Sequence, residues 1–234
     1  MDKLSILLLI PLITAIVILL AHKEKYIKVI ALTGSVAQLI YSGWLTGSYI
    51  LYRNAGIKAA MLFGKTVSWF APLHIFYRTG VDGISLTMIM LTAMVVVAGI
   101  LVSWKIKSQV KEFFFLILLL SLGAYGFFIS TDLFLMFFFL ELAVIPKYLL
   151  IGIWGSGKKE YSAMKLALML MAGSALVFLG IIGLNLFSGT YSTTNTWDLQ
   201  QLAQIKLPIH IQRVLYIVIF TGFGVFTAMF PFHT

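Results

Sequence analysis

Seven times along this chain, an apolar run long enough to cross a bilayer gives way to a polar or charged connection. A spanning α-helix needs about 20 predominantly apolar residues, and inside hydrocarbon its backbone N–H and C=O groups must satisfy one another. The runs are Leu4–Ala21, Val29–Leu51, Val81–Val102, Phe113–Ile129, Asp132–Trp154, Tyr161–Leu186 and Val214–Phe230. None shows the two-residue alternation of a barrel strand. The predicted fold class is therefore an all-α polytopic membrane protein with seven transmembrane helices. Composition agrees: of 234 residues, 61% are hydrophobic and 11% charged, where a soluble domain carries about a quarter charged residues. The first run follows only Met1, Asp2 and Lys3, exceeds a usual signal-peptide core and precedes no small-residue cleavage site. It reads as a retained helix.

The connections alternate in character. His22–Lys28, Ser103–Glu112 and Gly155–Glu160 are short and rich in lysine. Tyr52–Gly80 and Phe187–Arg213 are long and mixed, and Ser130–Thr131 is barely a connection. Lysine in short loops marks the cytoplasmic side, which places the N-terminus outside. Arg53, Lys58, Lys65 and Arg78 pull against that orientation. Trp69, Tyr77 and Trp197 suit long loops lying at the outer interface. The net charge of +9 resides mostly in the connections, so it reads as a topology signal and not as a nucleic-acid surface. Cysteine is absent, which removes disulfides, thiolate metal sites and iron–sulfur ligation from this chain. No HExxH, GxSxG, P-loop or dinucleotide-binding motif stands in a supporting context.

Glu141 is the residue most in need of explanation. It lies inside DLFLMFFFLELAVIPKYLLIGIW, where a carboxylate costs about 2.5–3.5 kcal/mol and needs a partner, a proton or water. It is either a group on an ion path or a protonated residue packed between helices. Pro146 lacks a backbone N–H, so the carbonyl of Leu142 loses its helical donor beside Glu141, and a broken helix with local hydration would follow. Lys147 is six residues on, roughly 9 Å along the axis and turned roughly 120°. That offset disfavours a direct ion pair, and the lysine either bridges through water or snorkels to an interface. Lys165 is a second candidate, with a solvated helix-end cation as its alternative. His233 is either a proton shuttle or a structural histidine. Asp82 and Asp132 open spans and read as helix caps. Ala172, Gly173, Ser174, Gly180 and Gly183 mark close helix contacts in the sixth run.

Four stretches together resemble the antiporter-like membrane subunits of respiratory complex I, in particular the subunit M group of bacterial NADH–quinone oxidoreductases, counterpart of mitochondrial NADH dehydrogenase subunit 4. They are GVDGISL (Gly80–Leu86), DLFLMFFFLELAVIPKYLLIGIWGSG (Asp132–Gly157), EYSAMKLALMLMAGS (Glu160–Ser174) and FPFHT (Phe230–Thr234). The resemblance implies two inverted five-helix repeats, each with a half-channel and a broken helix. On that reading residues 1–112 form about three N-terminal helices with their loops. Residues 113–234 then begin the proton-translocating domain, truncated in its seventh helix. Family members are longer, so the chain reads as an N-terminal fragment. Glu141 falls on the family's buried glutamate, whose usual partner is a lysine at the position of Phe226. Lys147 stands where the family has an apolar residue, which suggests a cation relocated from the seventh helix to the fifth. The resemblance thus implies proton translocation through Glu141, Lys147, Lys165 and His233. It implies no cofactor in this chain, with flavin, iron–sulfur clusters and quinone in partner subunits. The implied partners are other membrane-arm subunits of complex I and the lipid bilayer, with no nucleic acid. The implied location is the bacterial inner membrane. Three other readings stay open: a multisubunit cation/proton antiporter subunit, a membrane-bound hydrogenase subunit, and a structural spacer.

Overall fold

The computed structural model describes residues 2–70, 75–192 and 195–232. Among the described residues, seven helices are long and apolar enough to cross a membrane. They are α1 (Lys3–Leu20), α2 (Glu24–Asn54), α3 (Gly83–Val102), α4 (Val110–Ile129), α5 (Leu133–Trp154), α6 (Lys159–Tyr191) and α8 (Ile209–Phe226). A four-residue helix, α7 (Leu199–Leu202), sits in the last long connection. Helices α1 to α4 pack as one group, α5 leans on α4, α6 on α5, and α8 on α6. Many large apolar side chains, such as Ile40, Val95 and Leu168, face outward, as lipid-facing positions do.

Each predicted span corresponds to one helix, with shifts that have local causes. The caps are as read from sequence: Asp82 accepts from Ser85 N at 2.7 Å, and Asp132 accepts from Phe134 N and Leu135 N at 3.1 and 3.2 Å. Helix α6 runs five residues past the expected Leu186. Its buried stripe continues through Asn185 and Ser188, which bind the connection beyond at Thr196 O and Thr196 N, at 3.2 and 3.0 Å. Helix α8 both starts and stops earlier than Val214–Phe230. It begins directly after Pro208 and ends in a Schellman motif: Met229 N donates to Gly224 O at 2.9 Å and Ala228 N to Val225 O at 3.2 Å. The motif ends the helix before Pro231 is reached.

Two expectations need correction. Helix α5 is continuous through Pro146, which is buried inside it, so the fifth helix is not broken. Packing on both sides holds a proline helix together when neighbours tolerate the lost bond. The first long connection is also not a plain interfacial loop. It folds as an antiparallel hairpin of β1 (Leu62–Phe70) and β2 (Ile75–Val81), with Thr66 opposite Arg78 and Val67 opposite Tyr77.

The three lysine-rich connections meet at one end of the bundle. There Lys28 Nζ donates to Trp104 O and Ile106 O at 2.8 and 2.9 Å, and Trp154 Nε1 donates to Ser108 O at 2.8 Å. The other end is built around Ser130–Asp132, held between β2 and the segment before α7. Isolated bridges join Thr79 to Ser130 and Asp132 to Asp198.

Candidate functional site

The facing surfaces of α5 and α6 place Glu141. By helical phase Glu141, Val144, Ile145 and Tyr148 fall on one side of α5. They line a groove of about 510 Å³ completed by Phe138, Leu142, Ala167 and Met171. Glu141 and Tyr148 are its only polar side chains. Glu141 Oε1 is buried there with no hydrogen-bond partner. Ser174 of α6 is the side chain brought to the carboxyl. The same hydroxyl lies 3.0 Å from the Met171 carbonyl. Leu142, whose carbonyl Pro146 deprives of a donor, lies on the same groove. The groove thus brings the Glu141 carboxyl, the Tyr148 hydroxyl and Leu142 between apolar walls.

Lys147 does not pair with Glu141. The ion pair found among the described residues is Arg78–Asp198 at 2.8 Å. Lys147 is half-buried and sits on another side of α5. It lies one turn after Ala143, which abuts Gly123 of α4, and one turn before Ile151. Ile151 borders a second groove, about 450 Å³, that also holds Lys165 and Phe226. So Lys165 and Phe226 share a space, Lys147 lies one turn along the helix from it, and Glu141 opens elsewhere. His233 lies outside the described residues.

The end of the bundle above α5 brings together charged groups that lie far apart in sequence. Arg78 pairs with Asp198 while its guanidinium stacks on Phe76 at 4.7 Å. Asp132 is fully buried beside them, and its Oδ2 has no partner. Burial raises the Asp132 carboxyl above its usual range, while backbone N–H groups and the Arg78 charge pull it back. Arg78 was visible in sequence only as a charge opposing the orientation rule, and Asp198 carried no local signal. Ser174 was read as a small packing residue, and its position opposite Glu141 depends on the register of α6 against α5.

Seven spans among the described residues and a carboxyl group between two of them, one oxygen of which is buried without a partner, define an integral membrane protein of the kind that carries an intramembrane ionisable group. Residues 130–234 match the family described as NADH:quinone oxidoreductase/Mrp antiporter, transmembrane. The chain is 31% identical over 234 residues to NAD(P)H-quinone oxidoreductase chain 4-2 of Synechocystis sp., covering 99% of this chain and 40% of the relative. It is 30% identical over 249 residues to NADH-quinone oxidoreductase subunit M of Rhodobacter capsulatus, covering 100% of this chain and 47% of that one. A chain of respiratory complex I from Thermus thermophilus with bound NADH superimposes with a TM-score of 0.83 at 20% identity, over 98% of this chain and 45% of that chain. The fold is therefore that of the antiporter-like membrane subunits, as the sequence motifs implied. The chain spans less than half the length of these relatives.

Proposed function

We propose that this chain is the N-terminal part of a membrane-arm subunit of a proton-pumping NADH–quinone oxidoreductase, and that α5 and α6 form a proton half-channel around Glu141. The observation that carries this reading is the orphaned Glu141 Oε1 in the α5–α6 groove. A carboxyl group kept for packing alone would be expected to have its oxygens satisfied. Here the Ser174 hydroxyl can steady the carboxylate, and the carboxyl can exchange its proton with water entering beside Leu142. Electron transfer, with flavin, iron–sulfur clusters and quinone, belongs on this reading to partner subunits. This chain contributes the ion path and no redox chemistry.

Lys147 and Lys165 are the candidate cations that modulate Glu141, in place of the lysine that the resemblance puts at Phe226. Moving a charge near a carboxyl shifts its proton affinity, which is how coupled titration drives transfer. Lys165 and Phe226 line one groove, and Lys147 lies one turn along α5 from Ile151 on its border. His233 remains a candidate shuttle. The lysine-rich end faces the cytoplasm on this reading, the N-terminus faces outward, and the membrane is a bacterial inner membrane. The other membrane-arm subunits and lipid cover the outer faces.

A subunit of a multisubunit cation/proton antiporter is the second reading, favoured by the joint description of the family. The quinone oxidoreductase reading is preferred because the whole-chain relatives are quinone oxidoreductase subunits. The test is NADH-driven proton pumping in membrane vesicles, using the full-length protein in its assembled complex with Glu141→Gln. Pumping should fall sharply while the complex stays assembled. Unchanged pumping would make this half of the protein a structural spacer. A loss of cation-driven proton exchange with no effect on NADH oxidation would favour the antiporter.

A further inference from the structure

The α5–α6 groove has a second polar side chain, Tyr148, seven residues after Glu141. Seven residues bring a helix back to within roughly 20° of the same face, about 10.5 Å further along its axis. The step leads toward the lysine-rich end of the bundle. Helix α5 finishes there at Trp154, whose Nε1 donates to Ser108 O. Tyr148 is six residues, or about 9 Å, short of that finish.

The side chain is 39% exposed. No hydrogen bond or ring contact to a described residue holds it, so its hydroxyl can turn into the groove. Between it and Glu141 the lining is Leu142, Val144, Ile145, Ala167 and Met171, and none of these side chains can carry a proton. The groove has a volume of about 510 Å³, far above the roughly 10–15 Å³ that one water needs, so solvent has room to stand between hydroxyl and carboxyl. On the hairpin side of Glu141 the lining is Phe138, packed edge-on against Trp69 of β1 at 5.7 Å. The groove is therefore marked by a polar side chain on one side of Glu141 and by an aromatic pair on the other.

We propose that Tyr148 is the entry residue of the Glu141 half-channel, passing protons inward from solvent at the lysine-rich end. The phenol oxygen takes a proton on a lone pair as its own O–H proton leaves toward the carboxylate. Each transfer returns a neutral tyrosine, and no electrons move. The assignment rests on the half-channel reading of Glu141. The competing role for a tyrosine at this depth is that of a ring anchored near the membrane interface, and that role needs no oxygen.

The test measures NADH-driven pumping by Tyr148→Phe, Tyr148→His and Glu141→Gln, each in the full-length protein of the assembled complex, across a range of pH on the lysine-rich side. Tyr148→Phe keeps the ring and removes only the oxygen. Its pumping should fall roughly tenfold, the worth of one hydrogen bond to a charged group. The deficit should widen as pH rises and protons become scarce. Tyr148→His restores a group that takes and gives protons and should recover most of the loss. Wild-type pumping by Tyr148→Phe would remove the residue from the path. A loss that is the same at every pH, or equal in Tyr148→Phe and Tyr148→His, would make it a packing residue, and so would failure of Tyr148→Phe to assemble. In each of these cases, lost pumping in Glu141→Gln would leave the half-channel standing. Normal pumping by Glu141→Gln would overturn the half-channel and the role of Tyr148 together.

Discussion

Gly173→Ala should loosen the contact between α6 and α8. A Cβ on Gly173 would lie 2.9 Å from Val225 Cβ and 3.2 Å from Gly222 O, and one on Gly222 would lie 2.9 Å from Gly173 O. The two glycines therefore bring the backbones into contact, as small residues do between membrane helices. Carbon atoms pack at about 3.5–4.0 Å, so the new methyl is roughly 0.6–1 Å too close to a branched side chain and a carbonyl. Neither can swing away, and α8 must retreat. Overpacking of this kind costs about 1–3 kcal/mol, offset by up to about 1 kcal/mol from the better helix propensity of alanine. With the full offset the net loss is up to about 2 kcal/mol, or up to roughly 8 °C in apparent melting temperature for a chain of this size. Gly99→Ala is the control, because nothing lies within 4 Å of a Cβ there. The assay is thermal unfolding of the assembled complex in membranes, comparing both variants with wild type. Gly99→Ala should be neutral or slightly stabilising. Equal stability of the two variants would refute the close crossing of α6 and α8, and with it the placing of Phe226 against the Lys165 groove.

The same structure predicts three further outcomes. Ala228 holds φ at +51° in the Schellman motif after α8, a conformation that costs a side chain about 1–2 kcal/mol, so Ala228→Gly should raise the melting temperature and Ala228→Val should lower it. Arg78→Met leaves Asp198 without its cation, in a pair whose side chains are 16% and 17% exposed. A loss of about 1–3 kcal/mol, between the values for exposed and buried pairs, should show as faster proteolysis of the connection between α6 and α8. Lys147→Met and Lys165→Met should each reduce NADH-driven pumping more than Lys58→Met, an exposed lysine outside the grooves; pumping equal to that of Lys58→Met in both would remove the cation role from both lysines.

Lys3 illustrates why a neutral control must be chosen from the structure. In sequence it is an ordinary lysine at a helix start. In the fold its ammonium lies 4.9–5.5 Å from the rings of Phe63, Trp44 and Tyr52, and its removal would disturb α2 and the hairpin together. The hairpin itself left a faint trace in the sequence. Thr66, Val67, Trp69, Phe70, Ile75, Phe76 and Tyr77 are strand-favouring residues, but β1 is almost wholly exposed. Its strands exist because they pair with each other and are pinned to Ser130, contacts that no local window contains.

The sequence by itself determined the number of spans, because hydrocarbon admits only backbones that satisfy themselves. It determined the caps at Asp82 and Asp132, because an N-cap is a contact across three residues. It also marked Glu141, because the cost of a carboxylate in an apolar run does not depend on where the neighbouring helices lie. Tertiary structure decided everything set by the rotation of one helix against another. It put Ser174 beside Glu141, turned Lys147 away from it, and placed Lys165 with Phe226. Such pairings are fixed by the register of packed helices, and that register is a property of the whole bundle and not of any one run of residues.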